Sequence, residues 1–208
     1  MSLYAVERIL SVNIWGKSLK EPSMVPGMFE LRGAFGKRVV GVVGGRVSVG
    51  DVDEFLRKLA KVDKENRTTS QAFDASCIAG KEHLVHAARL ALIAHATKSN
   101  FASSLNIELV CWVAAERQIG RAFEKVGVHK GSKNLAILSL GNSRAQVRRA
   151  LVNIRRELDM KRDDGVLELT REKVSKLLGV FSISKDELKI APPQKLVLER
   201  VALLTLQK

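Results

Sequence analysis

The stretch that decides the fold runs from Lys98 to Val128, KSNFASSLNIELVCWVAAERQIGRAFEKVGV. A polar turn, Lys98-Ser-Asn-Phe-Ala-Ser-Ser104, enters an apolar run that stops at a polar knot, Glu116-Arg117-Gln118. Beyond the knot, Ile119, Ala122, Phe123 and Val126 recur at the spacing of one helix face. Gly127 follows as a C-cap able to take the left-handed conformation. Downstream, Asn134-Leu-Ala-Ile-Leu-Ser-Leu140 reads as a buried strand. The unit is helix, break, helix, strand. It holds no recognisable catalytic set, which points to binding rather than reaction.

Upstream of this unit, Phe29–Val49 is rich in glycine and valine, as strands joined by tight turns are. Asp51 is placed to cap a helix carrying Val52, Phe55, Leu56 and Leu59 on one face. Lys61–Ser70 reads as a charged loop and Ala72–Ile78 as a strand. Gly80-Lys81-Glu82 opens a helix with Leu84, Ala87, Ala88 and Ala91 on its apolar side. At the N-terminus, Tyr4–Trp15 suits a short strand or helix, broken by Pro22, Pro26 and Gly27.

Downstream, Asn142 or Ser143 caps a helix turned inward on Val147, Leu151, Ile154 and Leu158. Its outer face carries Arg144, Arg148, Arg149, Arg155 and Arg156. Asp163-Asp164-Gly165 is a turn, Val166–Leu169 a short strand, and Thr170 the cap of a helix through Leu178. A last helix, from about Pro193 to Leu206, has proline at its start and apolar residues almost all round. Such a helix is either a central core element or one shared between this body and a partner. The helical stretches number about seven.

The 208 residues are 46% hydrophobic, enough for one sizeable core. Lys and Arg number 35 against 22 acids, a net charge of +13. That excess favours a polyanionic partner, nucleic acid ahead of membrane. Cys77 and Cys111 form no CxxC pair and suit core positions in a reduced intracellular protein. No apolar run approaches the ~20 residues of a membrane span, and no signal peptide is evident, so the expected compartment is the cytoplasm.

The glycines do not make a phosphate loop. Gly41-Val-Val-Gly44-Gly45 is not GxGxxG, and neither Gly36-Lys37 nor Gly80-Lys81 is followed by Ser or Thr. His83 and His86 are two histidines without further ligands, expected at the surface or at a cap rather than on zinc. No desolvated acid–base pair can be nominated. The sequence therefore calls for no metal, no cofactor, no small-molecule substrate and no catalytic activity.

Two basic groups remain. Lys98 joins Arg117, Arg121 and Lys125, the last three at i, i+4, i+8 on one helix face; the other group is the arginine helix Arg144–Arg156. Such arrays bind phosphates through charge and the arginine fork, or else form solvated faces. Phe101 and Trp112 lie near the first group and suit core packing.

The order of elements resembles the small KEOPS subunit, the PRPK-binding-protein family, of archaeal type. The resemblance rests on the strand Ala72–Ile78 leading into His83, Leu84 and His86-Ala87. It continues with the turn Lys98-Ser-Asn-Phe-Ala, then Glu108-Leu109, Gln118-Ile119, Ala122-Phe123 and Gly127. The closing Glu199-Arg200-Val201-Ala202-Leu203 helix and the opening Phe29-Glu-Leu-Arg-Gly33 complete it. It covers residues 29–208; residues 1–28 look like an extension and Lys61–Ser70 like an addition. Relatives often carry a basic residue where Trp112 stands, and a glycine in the break near Ala114–Glu116, which this chain lacks.

The resemblance implies one α/β (α+β) domain with a small, mostly antiparallel sheet. It implies a non-catalytic role in KEOPS, which installs threonylcarbamoyl on adenosine beside the tRNA anticodon. The implied partners are the kinase-like ATPase subunit, through Leu196, Arg200, Leu203 and Leu204, and tRNA with its single-stranded CCA end. The residues implied toward tRNA are Lys98, Asn100, Arg117, Gln118 and Arg121, to which the basic groups add Lys125 and Arg148. The alternative is a stand-alone basic protein gripping tRNA or rRNA backbone.

Overall fold

A computed structural model of the chain describes residues 27–206. The expectation for Tyr4–Trp15 lies outside them. Strands β1 (Met28–Gly33) and β2 (Gly36–Arg46) form a hairpin in which Gly33 pairs with Gly36 across the Ala34-Phe35 turn. Gly36 sits at φ 75°, a region that suits glycine. Strands β3 (Thr69–Asp74) and β4 (Asn134–Gly141) complete a sheet of order β1-β2-β4-β3, with every pair antiparallel. A two-residue strand β5 (Lys161–Arg162) pairs with the far end of β2, beyond β1.

Alternation along the strands divides the core in two. Val40 and Val42 join Phe73, Ala136 and Leu138 on one face of the sheet; Val39 and Val43 join Ala72, Leu135 and Ile137 on the other. The first face is covered by α2 (Lys81–Ala96) with α3 (Leu105–Ala114), the second by α1 (Val52–Asn66) and α5 (Arg144–Glu157). Gly41 belongs to the second face, where an added Cβ would stand 2.5 Å from Val147 Cγ1. Gly41 thus lets α5 approach the sheet, while Gly44 and Gly45 leave room for Asp163 O and the Met160 side chain.

The single α+β domain has eight α-helices among the described residues. Besides those named, α4 spans Ile119–Val126, α6 Arg171–Val180, α7 Glu187–Ile190 and α8 Pro193–Leu203. The expected caps form: Asp51, Ser143 and Thr170 each accept a backbone N–H from the first turn of their helix.

Three expectations are corrected. Lys61–Ser70 is not a loop: α1 continues to Asn66 because Val62 extends its buried row of Phe55 and Leu59. Arg67 then turns the chain at φ 54°, and the Asp63 carboxylate ties Thr68 and Ser70 into the turn to β3. The strand expected at Ala72–Ile78 ends at Asp74, whose carboxylate accepts from Ser76 N and opens a short 3-10 turn, Ala75–Cys77. Val166–Leu169 is not a strand: residues 164–167 form a 3-10 turn, anchored by Asp164 accepting from Gly44 N at 2.9 Å.

The structure also decides which helix is central. That helix is α2, where Leu84, Ala87, Ala88 and Ala91 are fully buried and His83 and His86 are buried with them. Burying a leucine such as Leu84 is worth roughly 1.5–3 kcal/mol. Helix α8 is one-sided. Leu196, Val197, Val201 and Ala202 are buried, whereas Leu198 and Leu203 are half-buried and Leu206, just beyond, is exposed.

Candidate nucleic-acid interface

The organising residue of the interface is Glu108, an acid inside the apolar run of α3 and fully buried. One carboxylate oxygen accepts from Trp112 Nε1 at 2.8 Å, one helical turn on. The other accepts from the backbone N–H groups of Phe101 and Ala102, both at 2.8 Å. A single carboxylate thus pins the loop between α2 and α3 to the helix that follows it. Charge-assisted bonds of this kind are the strong ones.

The pinned loop carries Lys98, exposed and at φ 56°, and Asn100, whose Nδ2 donates to Ala102 O at 2.8 Å. The Phe101 ring lies 5.4 Å from that of Trp112, and the Arg117 guanidinium stands 4.9 Å over the Phe101 ring. Lys98, Asn100, Phe101 and Arg117 are therefore brought together from two separate turns.

Arg117 reaches this place through the break after α3. Ala115 takes the left-handed conformation, φ 49°, where glycine is the usual residue. The N–H of Glu116 returns to Cys111 O at 3.0 Å. The backbone turn is the one glycine would make, at a cost of roughly 1 kcal/mol for the alanine Cβ.

The polar knot then organises α4. Glu116 accepts from Gln118 N at 3.2 Å and from Lys125 Nζ at 3.3 Å. Partial burial would raise the Glu116 pKa, but these two donors hold it below the ordinary value. Arg121 and Gln118 are exposed, and Lys125 is half-buried against Glu116. The expected single helix face of Arg117, Arg121 and Lys125 does not form, because α4 begins at Ile119 and Arg117, before its Gln118 N-cap, turns back over Phe101. Only Ala122 and Val126 of the α4 apolar set are buried; Ile119 and Phe123 stay exposed. Gly127 ends the helix as expected but not in the left-handed form: its φ is −71°. Glycine is needed there because a Cβ would lie 2.4 Å from Phe123 O.

Arg148 is elsewhere. Helix α5 covers the second face of the sheet, whereas α3 and α4 belong to the core of the first. The two basic groups therefore lie on opposite sides of the sheet.

Neither histidine is at the surface, and only His83 serves at a helix start. His83 Nδ1 accepts from Ala79 N at 3.1 Å, which leaves Nε2–H to donate to Val113 O at 2.9 Å. Burial lowers its pKa to about 3. His86 is buried with both ring nitrogens unpaired among the described residues, and burial lowers it to about 4. No group of three or more His, Cys, Asp or Glu among the described residues is arranged to hold a metal.

Of the residues assigned to a protein partner, Leu196 and Leu204 are core residues, 4% and 0% exposed. Leu203 is half-buried, and Arg200 bonds Glu187 and the carbonyl of Phe181. Those bonds hold α7 against α8, and Ile190 of α7 is 85% exposed. The accessible apolar surface at this end comes from Ile190, Leu203 and Leu206 instead.

A polar cleft of about 300 Å³ opens beside the N-terminus of α6, with Ser76, Lys173 and Lys176 in its wall. Lys176 Nζ bonds both Ser76 Oγ and Asp74. Burial pulls the Lys176 pKa down, but the negative charges of Cys77, when ionised, and Asp74 raise it overall. A lysine held protonated is a poor base for activating Ser76. Burial lowers Lys173 to about 8, with its ammonium donating to Val166 O at 2.9 Å.

Glu108 is the functional residue that periodicity missed, and its signal was an acid at the buried phase of LNIELVCWV, four residues before Trp112. No helix among the described residues is long and apolar enough to cross a membrane. Comparison with curated proteins gives no match. The profile of the family described as kinase binding protein CGI-121 matches residues 48–205, which takes in the pinned loop, the break and α8 and leaves out the β1–β2 hairpin. By that match the chain belongs to the kinase binding protein CGI-121 family.

Proposed function

We propose that this chain is the non-catalytic accessory subunit of an archaeal-type KEOPS complex in the cytoplasm. It docks on the kinase-like ATPase subunit and helps recruit tRNA by its CCA end. Family membership supports the kinase partner. The observation that carries the RNA half is the loop held by Glu108. It sets Lys98, Asn100 and the Phe101–Arg117 stack on a protein of net charge +13, with exposed Arg121 four residues beyond Arg117. A single-stranded end needs cations along its backbone and a π-face or guanidinium against its bases. This surface offers the cations and the Arg117 guanidinium plane, from two separate turns.

Two measurements test the reading. The chain and a kinase-like subunit should co-purify, and Leu203→Glu should weaken the pair while circular dichroism stays unchanged. Failure of the wild type to associate removes the docking claim. For RNA, Arg121→Glu should lower tRNA affinity, and trimming the CCA end should lower it comparably. Indifference to the CCA end favours a stand-alone binder of RNA backbone, for which the arginine row of α5 is the alternative surface.

A further inference from the structure

On the second face of the sheet, a shallow groove of about 60 Å³ lies between α5 and the β1 and β5 ends of β2. Its floor is apolar, from Met28, Leu151 and Val152, and Val152 is 53% exposed. Its rim is three arginines, Arg148, Arg155 and Arg162. Volumes of ~300–1,000 Å³ are usual for small-molecule sites, so this groove is sized for one side chain.

The rim charges are largely uncompensated. Arg162 pairs with Asp164 at 2.8 Å, but Arg148 and Arg155 make no ion pair among the described residues. Arg155 also keeps its Nε buried with no hydrogen-bond partner there. That Nε is enclosed and out of reach of an incoming group, so the accessible rim charge is that of the exposed Arg148, and a carboxylate is the acceptor that matches a guanidinium in two places. No acidic residue lines the groove. It also has no aromatic side chain on which a nucleobase could stack, unlike the Phe101 surface across the sheet.

The geometry points to a protein docking site here, which takes a large apolar side chain flanked by carboxylates from an acidic segment of a partner. The chain would then be two-sided, with RNA on the α3–α4 side and an acidic protein segment on the α5 side. The occupant is chosen by charge complementarity around an apolar floor.

The test uses the full chain and a labelled peptide with a Leu-Trp core between paired glutamates, against the same core between lysines. Fluorescence anisotropy at low salt should give saturable binding of the glutamate peptide alone. Combining Arg148→Glu with Arg155→Glu should weaken it at least tenfold. Val152→Asp, an exposed change that spares folding, should do the same, while tRNA affinity stays within twofold. Absence of peptide binding overturns the proposal, and so does binding that ignores both variants. A fall in tRNA affinity with Val152→Asp assigns the face to RNA and also overturns it.

Discussion

Glu108→Gln removes one charge and keeps the shape of the side chain, so its effect can be worked from the hydrogen bonds alone. The wild-type carboxylate accepts from three donors, Phe101 N, Ala102 N and Trp112 Nε1. A glutamine presents one oxygen and one NH2 to the same donors. With its oxygen toward the loop, the NH2 faces the indole N–H; turned over, it faces two backbone N–H groups. Either way at least one buried donor is lost and meets another donor. A bond to a charged group contributes ~1.5–3 kcal/mol, and an orphaned buried donor costs ~1–3 kcal/mol. The expected loss is therefore about 2–4 kcal/mol, read as a drop in the urea midpoint at unchanged slope. In conditions where the variant stays folded, tRNA affinity should fall as well, because Lys98 and Asn100 ride on the released loop. A variant within 0.5 kcal/mol of wild type would refute the claim that this carboxylate pins the loop.

Acid should destabilise the fold before the bulk of its carboxylates titrate. Burial holds His83 near 3 and His86 near 4, so the unfolded imidazoles, near the ordinary 6.5, take up protons first as pH falls. Stability is then full above about pH 6.5 and is lost below it, by about 2 kcal/mol per histidine at pH 5. Asp63, raised by burial, works in the opposite sense and offsets part of the loss near its own range. Denaturant titrations at pH 7 and 5 check this, and a flat profile refutes it. Gly41→Ala should cost about 1–3 kcal/mol, because its Cβ would meet Val147 at 2.5 Å and Leu151 at 2.7 Å; thermal melts read it. Ala115→Gly should stabilise by roughly 0.5–1 kcal/mol if relief of the left-handed backbone outweighs glycine's entropy, and a lower melting temperature would refute that balance.

What the sequence made legible was what short-range chemistry decides. Asp51, Ser143 and Thr170 cap their helices because the side chain and the N–H it satisfies are three residues apart. The strand at Asn134–Leu140 was legible from its apolar run Leu135–Leu138, which two-sided burial explains. What stayed hidden depends on residues far apart in the chain. Lys61–Ser70 looked like a charged loop, and only the buried contact of Val62 shows the helix continuing through it. The outer face of α8 looked as apolar as its inner one, and only packing shows that Leu196 and Leu204 serve the core. For the site, Lys98, Arg117 and Arg121 were legible as a basic group. Their assembly was not, because it rests on a carboxylate that reads as an anomaly in an apolar run.

The sheet order has a consequence for the time course of folding. Strand β4 sits between β2 and β3, yet both neighbours precede it in the chain, with Val39 paired to Gly141 and Thr69 to Leu140. Closing contacts across so many residues is slow, because the loop entropy is spent before the strand pairs are gained. During synthesis the β1–β2 hairpin can form early, but β3 has no strand to join until residue 141 has left the ribosome. Until then β2 and β3 expose unpaired edges, and the nascent chain is at its most prone to aggregate. The arrival of a single strand closes both edges at once.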